Sequence, residues 1–218
     1  MKKTGQRTKR AELLRFIRRG AEVGGGKHTS IPVTWRDFHD YSNLFQNHAG
    51  IDLHTLLSEK ISQSSTPVVV TDFGCGKGNA LAGLKRIFGP KIKTVGYDAR
   101  YHSGMRELDE HHVKDLLSAT FVKSDVIFSV GTLGYVGEIK KMLDKTAKSL
   151  NRNGVALLHF NRIGTKPGNA YDSLLKGAET FFERVSKGEI KINGVSAEVH
   201  RFADVPKSDF IVILKKRQ

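Results

Sequence analysis

Residues 72–78, with the sequence DFGCGKG, combine one acid with glycines at three alternate positions. They follow the apolar run VVVTDF, which predicts a buried strand, and precede NALAGLKRIF, which predicts an amphipathic helix. A helix N-terminus presents free N–H donors and a partial positive charge. Glycines let the backbone approach a bound group and adopt φ values closed to other residues. The pattern therefore predicts either a ligand cradle or a tight turn with no chemical role.

The spacing of the glycines separates two classes of cofactor site. A dinucleotide-binding turn has the form G-x-G-x-x-G and would need glycine at position 79, which is Asn79. The glycines here are Gly74, Gly76 and Gly78, and Asp72 lies two residues before the first. DFGCGKG resembles the first motif of the class I S-adenosylmethionine-dependent methyltransferases. The resemblance implies S-adenosylmethionine as the cofactor and methyl transfer as the reaction.

Further residues downstream match other positions of the same family. Asp98 closes the second predicted strand, where the resemblance implies an acid that binds both ribose hydroxyls. Asp115 matches the position that accepts from the adenine amino group, with Leu116 beside it. LNRNGVALLHF resembles the turn that leads into the fifth strand of that family. The cofactor-binding set implied by the resemblance is Asp72, Gly74, Gly76, Gly78, Asp98, Asp115, Leu116 and Ser129.

The molecule that would receive the methyl group, the acceptor, is less well specified by the sequence. The fourth predicted strand leads into SVGTLGYVGE, without the D/N-P-P-aromatic motif of exocyclic amino methylases and without a proline–cysteine pair. This loop resembles that of enzymes acting on small molecules or protein side chains. The catalytic candidates are His159, as a general base, and Tyr135; the substrate candidates are Arg36, Tyr41 and Asn161. The alternative for His159 is a packed histidine at a strand end.

From residue 67 onward, short apolar runs alternate with longer amphipathic stretches, which predicts a doubly wound α/β fold with a mostly parallel sheet. EIKKMLDKTAKSLNRNG predicts a helix ending on Gly154, followed by the strand VALLHF. SAEVHRF and DFIVILKK are too close in sequence for a helical crossover, so they predict an antiparallel C-terminal hairpin at the sheet edge. The resemblance implies seven strands in all.

Three regions are expected along the chain. Residues 1–26 form a basic arm ending in a Gly-rich joint, residues 27–65 a helical cap, and residues 66–218 the cofactor-binding domain. The cap places aromatic residues at helical spacing, which indicates either core packing or the lining of an acceptor pocket; they are Trp35, Phe38, Tyr41 and Phe45.

The net charge of +14 is concentrated at the N-terminus. Residues 1–19 hold eight basic residues and one acidic residue, a net charge of +7. An arm of this kind, from Lys2 to Arg19, predicts phosphate contacts and salt-dependent RNA binding. A solvated tail and an organelle-targeting presequence are the alternatives.

The remaining composition excludes several classes of protein. The single cysteine, Cys75, cannot form a disulfide within the chain, and its place inside the glycine loop indicates packing rather than nucleophilic chemistry. His102, His111 and His112 lack a further ligand at zinc-like spacing, so no metal is predicted. No apolar run approaches the length of a membrane span and no signal peptide is visible, so a cytoplasmic protein is expected.

Three hypotheses about function follow. The first is a methyltransferase that acts on an oxygen or nitrogen atom of a small molecule or protein side chain. The second is a methyltransferase that acts on RNA or a ribonucleoprotein held by the basic arm. The third is a binding module with the same fold and no catalytic activity.

Overall fold

The structure is a computed structural model that describes residues 37–133, 136, 138–160, 179–192, 194–202 and 209–217. Four helices have defined bounds, and a fifth, α5, is described over residues 179–186. The four are α1 (Phe38–Ala49), α2 (Leu53–Ser62), α3 (Asn79–Phe88) and α4 (Ile139–Ser149). The strands are β1 (Val68–Phe73), β2 (Ile92–Asp98), β3 (Glu110–Val113), β4 (Ser124–Ser129), β5 (Leu150–Phe160), β6 (Ser196–Arg201) and β7 (Phe210–Lys215). Short 3-10 helices span Gly89–Lys91 and Ser103–Glu107.

The described strands form one seven-stranded sheet in the order β3-β2-β1-β4-β5-β7-β6. The first five are mutually parallel, while β7 pairs antiparallel with both β5 and β6. The predicted α/β fold with an antiparallel C-terminal hairpin is therefore confirmed. Because β1 connects to β2 on one side and has β4 on the other, the turn after β1 lies at the point where the strand order reverses, which is where open α/β sheets bind ligands.

Two apolar layers cover the two faces of the sheet. One layer packs α1, α2 and α3 against alternate residues of the central strands, including Val70, Phe128 and Leu157. The other packs α4 and α5 against the intervening residues, among them Phe73 and Ile127. Alternation along each strand sends neighbouring side chains to opposite layers.

The two helices before β1 belong to the first of these layers. Phe38, Tyr41 and Phe45 of α1 are buried at helical spacing, and Phe45 is fully inaccessible to solvent. Asp37 and Asp40 form a capping box at the start of α1, and Gly50 ends it with a φ of 67°. Of the two interpretations of the cap aromatics, core packing therefore holds for these three residues.

The predicted end of helix α4 was wrong. The helix ends at Ser149, and β5 already begins at Leu150, which pairs with Ser124 of β4. Gly154 is therefore a residue of β5, not a helix cap. A β carbon at Gly154 would lie 2.8 Å from the Asn151 carbonyl oxygen and 3.1 Å from that of Ser124, so glycine is required there by close backbone packing.

Several predicted features lie outside the described residues: the basic arm, Trp35, Arg36, Tyr135 and Asn161. Within the described part of the chain, no helix combines the length and apolar character needed to cross a membrane.

Candidate functional site

The glycine turn is fixed to the end of β2 by backbone hydrogen bonds. The N–H groups of Gly74 and Cys75 donate to the Tyr97 carbonyl oxygen at 2.7 and 3.1 Å. Gly74, Gly76 and Gly78 have φ angles of 79°, 54° and 80°, all in the left-handed region that favours glycine. Gly78 is the N-cap of α3 and supplies no side-chain cap, so the start of this helix faces the loop. The alternating glycines are thus required by the backbone path itself.

Asp98, the last residue of β2, closes this loop from the side. Its Oδ2 accepts from the Gly76 N–H at 2.9 Å and its Oδ1 accepts from the Arg100 N–H at 3.0 Å. The side chain is 17% exposed, and His102 Nε2 lies 3.9 Å from Oδ1. A carboxylate has about four acceptor positions. Asp98 can therefore hold the glycine loop and still accept hydrogen bonds from two ligand hydroxyls.

Asp72 lies in the interior beneath the loop. Its carboxyl group is 1% exposed, and Oδ2 accepts from the Tyr41 hydroxyl of α1 at 2.9 Å. The other oxygen, Oδ1, is buried and makes no hydrogen bond with any described residue. Burial, opposed by the Tyr41 hydrogen bond and reinforced by the Asp98 charge, raises the pKa of Asp72 to about 7. Tyr41, predicted to contact substrate, donates its hydroxyl hydrogen to the carboxyl group of the glycine motif, and its substrate role stays a prediction.

The turn after β3 carries the next predicted pair. Asp115 accepts from the Leu117 N–H at 2.8 Å, and Leu116 is buried. Lys145 of α4 reaches beneath this turn, where its Nζ donates to the carbonyl oxygens of Leu116, Leu117 and Ala119 at 2.6 to 2.9 Å. The same ammonium group lies 4.6 Å from the centre of the Phe121 ring. One lysine therefore holds three carbonyl groups of this turn.

Cys75 and Gly74 have packing roles. The Cys75 thiol is buried, and a β carbon at Gly96 would lie 2.7 Å from its Sγ. Burial, with the charges of Asp72 and Asp98, strongly raises the pKa of Cys75, which disfavours the nucleophilic thiolate form. A β carbon at Gly74 would overlap the side chain of Thr132, which follows β4. The space cleared at Gly74 is therefore filled by the protein itself.

Ser129, the last residue of β4, is fully buried. Its hydroxyl group donates to the Phe73 carbonyl oxygen at 2.9 Å and so ties the ends of β4 and β1 together.

His159 lies near the end of β5, on the sheet face covered by α1. It is 3% exposed, and its Nε2 is 3.6 Å from Asp209 Oδ2, just beyond hydrogen-bond distance. Neither ring nitrogen makes a hydrogen bond with a described residue. The ring is nearly parallel to that of Phe202 at 5.4 Å, and His48 of α1 stacks on the same phenyl ring at 3.6 Å. A buried imidazole with both nitrogens available faces a carboxylate here.

Helix α1 contacts both the Asp72 carboxyl group and the aromatic ring beside His159. Tyr41 and His48 are seven residues apart, about 10 Å along a helix. Strands β1 and β5 are two strand spacings apart, also about 10 Å. The same face of α1 thus contacts Asp72 through Tyr41 and the ring of Phe202, beside His159, through His48.

The structure brings all eight predicted cofactor-binding residues to the carboxyl edge of β3, β2, β1 and β4. His159 lies at the same edge on β5, and Arg36, Tyr135 and Asn161 lie outside the described residues. In the part of the chain described, no three His, Cys, Asp or Glu side chains are arranged to hold a metal ion.

Sequence reasoning missed Thr132, Lys145 and Asp209. Only Asp209 carried a signal, because it directly precedes a strand that runs antiparallel and therefore starts at the carboxyl edge. Lys145 and Thr132 have no local pattern that distinguishes them from solvated residues.

No protein-family model matches the sequence, and the comparison with curated proteins finds no match. Solved structures do match. A complex of the plantazolicin methyltransferase BpumL with a monoazolic desmethylPZN analog and SAH is 13% identical, with a TM-score of 0.61, over 98% of this chain and 97% of that one. The Haemonchus contortus phosphoethanolamine N-methyltransferase 2 with S-adenosyl-L-methionine is 13% identical, with a TM-score of 0.51, over 85% of this chain and 59% of that one. Together with the strand order, these matches show that the chain has the fold of the class I S-adenosylmethionine-dependent methyltransferases.

Proposed function

We propose that the protein is an S-adenosylmethionine-dependent methyltransferase that transfers the methyl group to an oxygen or nitrogen atom of a small molecule or protein side chain. The observation that carries the proposal is the contact of Asp98 with Gly76, which joins an acidic strand end to a left-handed glycine loop at the reversal point of the sheet. Matching structures hold SAH or S-adenosyl-L-methionine, which supports the same cofactor here.

The residues at this edge fit such a cofactor. Asp98 has acceptor capacity left for the ribose hydroxyls, and Asp115 with the buried Leu116 would border the adenine. The unpartnered Oδ1 of Asp72 would accept from the amino group of the methionine part. When bound, the cofactor supplies an electrophilic methyl group on a sulfonium. The protein contributes orientation and a site shielded from water.

His159 is the proposed general base. A hydroxyl or ammonium acceptor must lose a proton during or before methylation, and a neutral imidazole can take it. Asp209 at 3.6 Å from Nε2 would accept a hydrogen bond from that nitrogen after a small adjustment, which leaves Nδ1 as the unprotonated, basic nitrogen. Tyr135 and Asn161 remain proposed neighbours of the acceptor on sequence grounds.

The named activities of the matching proteins favour an acceptor that is not a nucleic acid. They are a plantazolicin methyltransferase and a phosphoethanolamine N-methyltransferase. The missing D/N-P-P-aromatic motif after β4 points in the same direction.

Calorimetric titration with S-adenosylmethionine tests the cofactor assignment. We expect binding by the intact chain and a loss of about tenfold to a hundredfold in affinity for Asp98→Ala, because charge-assisted hydrogen bonds contribute about 1.5–3 kcal/mol. Gly76→Val should abolish binding because its φ of 54° is closed to valine. Asp144→Asn, which changes an acid of α4 paired with Lys140, is the matched control and should bind normally. Absence of binding, or binding unaffected by both site variants, contradicts the proposal.

A transfer assay with tritiated methyl groups then tests the acceptor. Incubation with fractionated cell extract should place label in small solutes or protein, and His159→Gln should reduce the incorporation while cofactor affinity is retained. Label confined to RNA would instead favour the second candidate.

That second candidate is an RNA or ribonucleoprotein methyltransferase. The charge of +7 in residues 1–19 favours it, since a cluster of this kind neutralises phosphates. A cofactor-binding module without activity is the third reading, and it would bind the cofactor yet incorporate no label into any fraction.

A further inference from the structure

The contact between Tyr41 and Asp72 joins residues 31 positions apart and connects α1 to the start of the glycine motif. Both side chains are buried, with Tyr41 5% and Asp72 1% exposed. The hydroxyl group donates to Oδ2, which orients the carboxyl group, while Oδ1 keeps its acceptor capacity. A buried acceptor without a donor is costly, on the order of 1–3 kcal/mol, and such an atom marks a place for a missing partner.

The surroundings of Asp72 define which partner would fit. The Asp72 carboxyl group accepts a hydrogen bond from Tyr41 of α1. It also interacts electrostatically with Asp98 at the end of β2 and with the Cys75 thiol of the glycine loop. On β4, its register neighbour is the apolar Phe128. No cationic side chain among the described residues is paired with Asp72. A donor brought by a ligand would satisfy Oδ1, and an ammonium group would also offset the buried negative charge of the ionised carboxyl group.

We propose that Tyr41 is a positioning residue that holds the Asp72 carboxyl group for the ammonium group of the bound cofactor, and that binding expels one proton from Asp72 to solvent. This inference rests on the proposed function. The balance is simple: a neutral carboxylic acid and an ammonium ion become a carboxylate–ammonium pair and a free proton. No covalent bond other than the O–H bond of Asp72 is broken.

The proton is available because of where Asp72 lies. Burial raises the pKa of its carboxyl group to about 7, so below neutral pH the group in the free protein is mostly protonated. An ammonium group beside it favours the ionised form. Affinity should therefore fall as the pH decreases through 7, by about tenfold between pH 8 and pH 6, since each pH unit below the pKa costs a factor of ten.

A comparison of two ligands distinguishes the contribution of the ammonium group to binding from that of the rest of the cofactor. S-adenosylhomocysteine carries it, whereas 5′-methylthioadenosine has the same adenosine and thioether without the amino acid part. Titration calorimetry at pH 6.5 in buffers of different ionisation enthalpy counts the protons released. We expect release of about three-quarters of a proton for S-adenosylhomocysteine, the protonated fraction at pH 6.5 of a group with a pKa of about 7, and none for 5′-methylthioadenosine.

Variants of Tyr41 and Asp72 test whether these two residues cause the proton release. Asp72→Asn should abolish proton release and remove the pH dependence of affinity between pH 6 and pH 8. Tyr41→Phe should move the midpoint of that dependence to higher pH, because the lost hydrogen bond favoured the ionised carboxyl group. The matched control is Tyr101→Phe, which removes a hydroxyl group that accepts a hydrogen bond from Arg106 Nε at 2.6 Å. It should leave the midpoint unchanged.

The outcomes are distinguishable. Binding of S-adenosylhomocysteine with no buffer-dependent heat, or a midpoint that is equal in Tyr41→Phe and the unaltered chain, overturns the inference and leaves the proposed function intact. Absence of binding by the unaltered chain overturns both. Thermal unfolding of each variant at pH 6.5 verifies that the comparison is made between folded proteins.

Discussion

The side chain of Thr132 packs directly against Gly74 at the carboxyl edge of the sheet and occupies the space that a β carbon on Gly74 would need. The two residues lie on different loops, one after β1 and one after β4. The contact locks the glycine loop to the loop that follows the neighbouring strand. Glycine at 74 therefore answers two requirements, a φ of 79° and this contact.

Substitution of Gly74 separates those two requirements. Gly74→Ala should lower the free energy of unfolding by about 1–3 kcal/mol, through the left-handed backbone and the overlap with Thr132. Relative to Thr132→Gly alone, the double variant should show only the backbone part of the Gly74→Ala effect. Chemical denaturation of all four proteins measures this difference. An equal cost of Gly74→Ala with and without Thr132→Gly would show that the overlap contributes nothing.

Lys145 should affect the cofactor through the turn that it holds. Lys145→Met keeps the aliphatic length but removes a donor to three carbonyl oxygens, so the turn at 115–119 loses three of its hydrogen bonds. We expect about tenfold weaker binding of S-adenosylmethionine, measured by calorimetry. Lys141→Met, on an exposed position of the same helix, is the matched control. A normal affinity in Lys145→Met would assign the lysine to stability alone.

The raised pKa of Asp72 predicts a pH-dependent stability. The folded protein keeps a proton on Asp72 between pH 3.8 and about 7 that the unfolded chain releases, so this group makes stability fall as the pH rises through that window. The full difference corresponds to on the order of 4 kcal/mol. Asp72→Asn mimics the neutral form and should raise the melting temperature more at pH 8 than at pH 5. A gain equal at both pH values would contradict the assigned ionisation.

The basic arm is tested by removal of its charge. Deletion of residues 1–22, or replacement of the eight basic residues of the arm by glutamine, should weaken RNA binding. It should also reduce the dependence of affinity on salt, since each neutralised phosphate contributes about 0.7 to the logarithmic slope for single strands. Filter binding over a range of salt concentrations measures this. If affinity and slope stay the same in both variants, the arm is not an RNA-binding element.

The sequence alone determined the fold and the placement of the cofactor candidates. Glycine spacing, strand-ending acids and a short link between the last two strands are local features. Once the strands are parallel, chain order places Asp72, Asp98 and Asp115 at one edge. The same reasoning placed the end of α4 wrongly at Gly154, because a glycine required by close backbone packing looks in sequence like a helix cap. The binding roles of these residues stay predictions.

Tertiary structure decided which side chains meet at that edge. Tyr41 was expected near a substrate, and packing of α1 across the sheet places its hydroxyl group within hydrogen-bond distance of Asp72, a contact that the sequence did not predict. The contacts of Thr132 with Gly74 and of Asp209 with His159 likewise join segments far apart in the chain. Such contacts depend on how a helix crosses a sheet and on the register of antiparallel strands. Local residue patterns set the elements, whereas these distances arise only when the elements pack.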